Sequence, residues 1–307
     1  MYHGIINVYK EAGYTSHDVV AKLRGICKQK KIGHTGTLDP DAVGVLPVCL
    51  GNGTRLCDML TDRSKEYVAV LRLGIVTDTQ DLSGKVLKES EVKVSSDEVR
   101  NTILSFQGDS MQIPPMYSAL KVDGKKLYEL ARQGKEVERA ARPITVYAIE
   151  ILKESHPEYT IRVECSKGTY IRTLCHDIGQ ALGCGGVMAS LTRSRVGEFR
   201  IEEAHTLGEL QKYADGDRLE ELVVPVERMF EGLPKITVKE SARKALQNGN
   251  QMKSSDFAEW NKDANASLTL YDGREFRVYS HEKVFFGIYR YEQKRKLFCP
   301  VKLFFTQ

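Results

Sequence analysis

Gly33-His34-Thr35-Gly36-Thr37-Leu38-Asp39-Pro40 compresses two glycines, two threonines, a histidine, a carboxylate and a proline into one short stretch. A basic run precedes it, with five Lys or Arg and no acid between Lys22 and Lys31, and the apolar run Val43 to Leu50 follows. Pro40 disfavours the helical region for Asp39, so the carboxylate is expected in an extended turn, while the glycines let backbone approach something bulky. The apolar run reads as buried. Polar chemistry held against a rigid wall predicts a site with a bound partner.

Working outward, Gly4 to Lys10 reads as a strand that turns at Gly13, and Ser16 is the expected cap of a helix from His17 to about Cys27, with Val19, Val20, Leu23 and Ile26 on one face. Lysines at a helix end are often only solvated, but their place before Asp39 points to phosphate contact. After the turn Gly51-Asn52-Gly53-Thr54-Arg55 and a short helix to about Leu60, Glu66 to Leu73 is a strand carrying Tyr67 near its start. Thr77-Asp78-Thr79-Gln80-Asp81 holds two carboxylates, for which a hydrogen-bonded turn is a commoner role than acid/base work. A helix is expected from Ser96 to Phe106.

Ile113-Pro114-Pro115-Met116-Tyr117-Ser118 breaks regular structure ahead of Lys121 to Arg142, which has seven Lys or Arg, four Asp or Glu and only Leu127, Leu130 and Ala131 as an apolar stripe. So thin a stripe predicts a helix that projects from the body as a basic arm. Strands are expected at Ile144 to Leu152, Tyr159 to Cys165 and around Tyr170-Ile171-Arg172, then a helix from Thr173 to Leu182 closed by Gly183 to Gly186. Between Leu207 and Glu231 the composition turns acidic, and Gly232-Leu233-Pro234 marks a boundary. The expected domains are therefore 1–232 and 233–307. In the second, strands at Ala266 to Tyr271, Glu275 to Tyr279, Val284 to Tyr291 and Leu297 to Phe304 suggest a small β-barrel.

The chain has 307 residues, 41% of them hydrophobic and 28% charged, with a net charge of +4, which is ordinary for a soluble globular protein. No apolar run approaches the length that spans a bilayer, and Met1-Tyr2-His3-Gly4 opens no basic-then-apolar leader, so a cytoplasmic protein is expected. The seven cysteines lack any Cys-x-x-Cys pair, and Cys165, Cys175, His176 and Cys184 match no common zinc spacing. No metal is expected there, nor at Asp39-Pro40-Asp41. The glycine-rich stretch has neither a P-loop ending nor dinucleotide-fingerprint spacing, and the deaminase pattern is absent.

An enzyme that works on a base inside folded nucleic acid must take it out of the stack. Such a pocket needs aromatic platforms, a wedge and a reactive group. Tyr67 and Tyr170 qualify as platforms, His34 as the wedge and Asp39 as the reactive group.

These residues, together with Gly44-Val45-Leu46-Pro47-Val48, Lys65-Glu66-Tyr67, Thr77 to Asp81, Ile113 to Ala119 and Cys165-Ser166-Lys167-Gly168-Thr169-Tyr170-Ile171-Arg172, resemble the bacterial tRNA pseudouridine synthase B family. The matches span residues 4 to about 200 in the family's order. The resemblance implies an α+β pseudouridine synthase fold with a central mixed or antiparallel sheet, a thumb-like basic insertion at about 115–143 and a PUA-like C-terminal RNA-binding β-barrel. It implies conversion of uridine 55 in the tRNA T-loop to pseudouridine without cofactor or metal, by a monomer that meets the T-arm with no guide RNA. Asp39 would be the essential aspartate, Arg172 its partner, and Tyr67 and Tyr170 the remaining catalytic side chains. Leu191 and His34 would line the base pocket. RNA contacts are expected from Lys10, Lys30, Lys31, Gly33, Thr35, Lys121, Lys125, Lys126, Arg132 and Arg142. Whether the carboxylate adds to the sugar or removes a proton from it stays open. One departure is Lys10-Glu11, where the family usually has Lys-Pro. The alternatives are an RNA chaperone that opens the tRNA elbow, and a methyltransferase, which the lack of a cofactor loop disfavours.

Overall fold

A computed structural model describes residues 1–122, 124–260 and 270–304. In chain order the first part runs β1 (Gly4–Lys10), α1 (Ser16–Ile26), β2 (Ile32–His34), β3 (Val43–Leu50), α2 (Cys57–Thr61), β4 (Lys65–Leu73), β5 (Ile75–Thr77), β6 (Val86–Glu89), α3 (Ser96–Ser105) and β7 (Gly108–Gln112). Then come β8 (Lys121–Val122), β9 (Lys125–Lys126), α4 (Leu127–Arg132), β10 (Arg142–Ser155), β11 (Glu158–Cys165), α5 (Ile171–Ala181), β12 (Gly186–Val196), β13 (Phe199–Arg200) and α6 (Leu207–Asp215). The remainder holds β14 (Lys235–Val238), α7 (Arg243–Gln247), β15 (Phe257–Trp260), β16 (Glu275–Tyr279), β17 (Phe285–Glu292) and β18 (Leu297–Leu303).

The central sheet has the order β1-β3-β12-β4-β11-β10-β7, with β2 added to β3 and β13 to β12. It is mixed: β12 lies parallel to β3 and antiparallel to β4. Strand β4 alternates buried and half-buried side chains, the period-2 signature of a sheet with one covered face. That face packs under α3 and α5 through Ala69, Leu71, Val99, Ile103, Ile161, Leu174 and Ile178. Strand β3 is buried on both sides: Leu46 and Val48 meet α1 and α6, whereas Val45 and Cys49 join Met229, Phe230 and the C-terminal sheet.

Several local expectations need correction. Helix α1 is capped by Thr15, whose hydroxyl accepts from the Asp18 N–H while Asp18 answers the Thr15 N–H at 2.8 Å; Ser16 lies inside the helix with its hydroxyl turned to another task. The segment at Ile171-Arg172 is the first turn of α5, not a strand, because the apolar residues from Ile171 to Ile178 recur at helical spacing. The arm is not one long helix: β8 and β9 form a small hairpin, α4 follows for six residues, and the chain runs irregularly to β10. Its stripe is short enough for Leu127 and Leu130 to be buried within that compact unit.

The expected barrel is an open sheet. Among the described residues the order is β15-β14-β16-β17-β18, and β15 and β18 do not pair. The expected strand from Ala266 to Tyr271 falls for its first four residues outside the described residues, and Leu270 and Tyr271 are not in a strand. Phe257, Phe276, Tyr289 and Phe298 fill this sheet's own core. Phe285 and Phe304 stack at 5.7 Å and lean on Phe230 of the first part. Among the described residues no helix is long and apolar enough to cross a membrane.

Candidate active site

The opening stretch is fastened at nearly every residue. The Thr35 N–H and hydroxyl both donate to the Pro47 carbonyl, at 3.2 and 3.1 Å, and Thr61 donates to the Thr35 carbonyl at 3.0 Å. The Leu38 N–H donates to the Ser16 hydroxyl at 3.0 Å, which is the task that takes Ser16 out of capping. Beyond Asp39, the Pro40 and Ala42 carbonyls accept from the Lys10 ammonium at 2.9 and 2.6 Å. A turn that would otherwise be a loose loop is thereby rigid, which is what a positioned carboxylate requires.

Arg172, in the first turn of α5, meets Asp39 in a two-pronged ion pair: Nε lies 2.9 Å from Oδ2 and Nη2 3.0 Å from Oδ1. The guanidinium is buried, with its side chain 6% exposed, while the Asp39 side chain keeps 36%. The same guanidinium donates to the carbonyls of Tyr117 at 2.8 Å and Thr79 at 3.2 Å. Its Nη1 also stands 3.6 Å from Asp81 Oδ2. Asp81 is therefore both turn-former and site neighbour: its Oδ1 accepts from Thr79 and Ser83 hydroxyls at 2.6 Å each while Oδ2 faces the arginine. The turn reading of Thr77 to Asp81 captured only half of that.

A guanidinium alone would hold Asp39 below the usual carboxylate range. The net direction is the opposite. Burial pushes the Asp39 carboxyl up from 3.8, Arg172 and Lys10 pull it down, and Asp81 adds to the rise. Asp39 is thus an anion held against partial desolvation, more basic than a free aspartate.

Around this pair, Tyr67 and Leu191 project from the covered face of β4 and β12 and are both buried. Burial raises the Tyr67 phenol, with Asp39 among the charges it feels. Tyr170 caps the start of α5, fixed by reciprocal bonds with the Gln112 side chain at 2.8 and 3.0 Å, and its phenol also feels Arg172 and Asp39. His34 ends β2, its ring edge-on to His17 at 5.2 Å. Burial first, then His17 and Arg193, lower His34 below its ordinary 6.5, so its Nδ1 is free to accept from the Gly36 N–H at 3.3 Å.

Lys10 points inward. It is fully buried, its ammonium is spent on the carbonyls of Glu11, Pro40 and Ala42, and burial lowers its pKa to about 8. The expected RNA contact is an internal brace. Thr35 is buried likewise, and Gly33 has an internal neighbour, since a Cβ there would lie 3.2 Å from Cys57 Sγ. Lys30, Lys31, Lys121, Lys125, Arg132 and Arg142 are exposed, and Lys126 is half-buried against the Tyr128 ring. Cys165, Cys175 and Cys184 are buried free thiols, raised by burial, the first two to about 11 and about 12. Among the described residues no three His, Cys, Asp or Glu side chains converge as metal ligands would.

Arg193, Gln112 and the second role of Asp81 are not legible in the sequence. Gln112 and Arg193 carried no signal, because neither composition nor spacing tells which polar residue of a strand turns inward.

Residues 24–171 match the TruB family pseudouridylate synthase (N terminal domain), and residues 172–231 the tRNA pseudouridylate synthase B C-terminal domain. A tRNA pseudouridine synthase B of Lachnoclostridium phytofermentans is 52% identical, covering 98% of this chain and 99% of its own length. That of Alkaliphilus oremlandii is 45% identical over 97% of each chain. Among solved structures, a chain in a Cbf5-Nop10-Gar1 complex is 31% identical with a TM-score of 0.71, covering 99% of this chain and 85% of its own length. A chain in an H/ACA RNP bound to a substrate RNA containing 2'-deoxyuridine is 28% identical with a TM-score of 0.70, covering 99% of this chain and 86% of its own.

Proposed function

The chain belongs to the TruB family of pseudouridylate synthases, and we propose that it isomerises uridine 55 in the T-loop of tRNA to pseudouridine. The observation that carries this reading is the Asp39 carboxylate, gripped along one edge by a buried guanidinium and open on the other. In the reaction the N1–C1′ bond breaks, the ring turns, a C5–C1′ bond forms, a proton leaves C5 and one arrives at N1. Nothing external is consumed. Asp39 acts on the flipped nucleotide as nucleophile or base, Arg172 orients it, Tyr67 and Tyr170 contact the base, Leu191 packs on it, and His34 fills the vacated stack.

The exposed cations of the arm and of the α1–β2 turn supply phosphate contacts on the T-arm. Arg172 bonds the Tyr117 carbonyl at the arm's root, so the arm and the reactive pair share one anchor. No guide RNA is required in this reading, and residues 233–307 form a separate PUA-like domain that adds RNA affinity. A chaperone role without catalysis would leave the aspartate–arginine pair with no task, and the family match favours the enzyme. The test is purified protein alone with a T-arm stem-loop, followed by carbodiimide mapping. Pseudouridine at position 55 is expected; its absence, with the RNA bound, would sink the reading.

The neighbouring carboxylate gives a signed pH prediction. Asp81 raises the Asp39 pKa, so Asp81→Asn lowers it. Because the ionised form is the active one, the acid limb of kcat/KM moves to lower pH in this variant. A limb that stays in place would show that another group limits the acid side.

A further inference from the structure

Arg193 is the largest fully buried side chain of the described residues, and none of their carboxylates forms an ion pair with it. An unmatched guanidinium is costly to bury, and an apolar residue would fill the same space. The sheet makes room for it deliberately. Arg193 on β12 stands opposite Gly44 of β3 and Tyr67 of β4. At Gly44, with φ of +106°, a Cβ would sit 2.3 Å from the Arg193 carbonyl oxygen, so only glycine lets β3 close on this residue.

The guanidinium spends two donors on backbone. Its Nε donates to the Val45 carbonyl at 2.7 Å and its Nη2 reaches the Gly36 carbonyl at 3.4 Å. Gly36 belongs to the stretch that bears Asp39. As the register partner of Tyr67 on the same face, Arg193 also has its charge beside the phenol oxygen, where it opposes the rise that burial causes. The other groups that oxygen feels are Cys165 from β11 and Asp39 from the turn. Lys10, Lys65 and His34 all feel the same guanidinium, which lowers each of them.

We propose that Arg193 is a positioning residue for proton transfer: anchored on the Val45 and Gly36 carbonyls, it orients the Tyr67 hydroxyl and stabilises negative charge on that oxygen. The proposal rests on the reading of Tyr67 as a proton-transferring residue at the base. In the step served, the proton leaving C5 passes to Tyr67 Oη, the phenol's own proton goes to water, and N1 takes a proton from water, so the enzyme ends as it began. Arg193 holds the geometry and exchanges no proton.

The test compares Arg193→Gln, which keeps amide donors and loses the charge, with Arg193→Lys, which keeps the charge and loses the fork. Tyrosines labelled with ¹³C at Cζ are titrated by NMR, with Tyr67→Phe assigning the signal, and kcat and KM are measured on tRNA. In Arg193→Gln the Tyr67 titration moves to higher pH and kcat falls about tenfold to a hundredfold with KM held. In Arg193→Lys the titration stays near that of the parent. If the glutamine variant does not fold, Arg193→Lys combined with Tyr67→Phe decides: losses smaller together than their sum support the coupling, and additive losses overturn it. An unmoved Tyr67 titration with unchanged kcat in folded Arg193→Gln also overturns the proposal, while Tyr67→Phe that has lost activity leaves the reading of Tyr67 intact. A fully active Tyr67→Phe would instead remove the reading on which the proposal rests.

Discussion

Asp39→Asn binds tRNA as the parent does and forms pseudouridine slower by on the order of 10⁴-fold or more, the scale on which loss of a reacting group is felt. The substitution is nearly isosteric, so the turn held by Lys10, Ser16 and Pro47 keeps its shape. What changes is chemistry: an amide neither adds to a sugar carbon nor takes a proton from it. Arg172 then faces an amide where it had a carboxylate, at a cost of about 1–3 kcal/mol in stability. Urea unfolding measures that cost separately, so lost turnover is not mistaken for lost fold. Binding is read by filter retention and product by mass spectrometry. Normal turnover by the folded variant would remove Asp39 from the mechanism.

Arg172→Met produces the second large effect, in two currencies. The guanidinium serves Asp39, the Tyr117 and Thr79 carbonyls and the Asp81 carboxylate together, and methionine satisfies none of them. Removing one member of a buried pair costs roughly 3–5 kcal/mol, and the partial exposure of Asp39 places this case at the lower end. The kcat falls on the order of 10²–10³, as for the loss of one preorganised charge-stabilising donor. Because Arg172 is the largest influence holding the Asp39 pKa down, its loss raises that pKa further, and the acid limb of kcat/KM shifts to higher pH. This is the reverse of the shift from Asp81→Asn. Arg172→Lys restores charge without the fork and falls between. Limbs moving the same way in both variants would contradict the electrostatic account of the site.

Much of this site was legible because its residues sit in dense local patterns. Asp39 lies in a stretch that composition alone marks as unusual, and Tyr67 opens a strand whose alternation is plain. Arg172 meets Asp39 across 133 residues, a contact that only the family resemblance makes legible. What stayed hidden is burial of charge. Lys10, Lys65 and Arg193 look like solvated cations in a sequence, yet each is under a tenth exposed and bonded to backbone carbonyls. Hydrophobic patterning has no symbol for a lysine that turns inward. The arm departs from its expected single helix for a related reason: its apolar residues fit helical spacing, but Gly124 at φ +79° and the Lys121–Lys126 pairing make a hairpin before the helix begins. Of the C-terminal strands, β16, β17 and β18 are legible in the sequence while β14 and β15 are not, and the expected closure into a barrel is not met among the described residues, since alternation reports faces and says nothing of which edges meet.

Strand β12 fills the gap between β3 and β4, although more than a hundred residues separate it from either in the chain. On the ribosome β3 and β4 emerge well before it does. Until then β4 has no neighbour on the edge that β12 takes, and β3 has only the short β2 along Val48, Cys49 and Leu50 of its own, so both keep unsatisfied ladder open to other chains. Closure of this sheet accordingly waits for an insertion, and any truncation upstream of Gly186 leaves it in two unsealed halves, a substrate for chaperones and proteases before it is anything else.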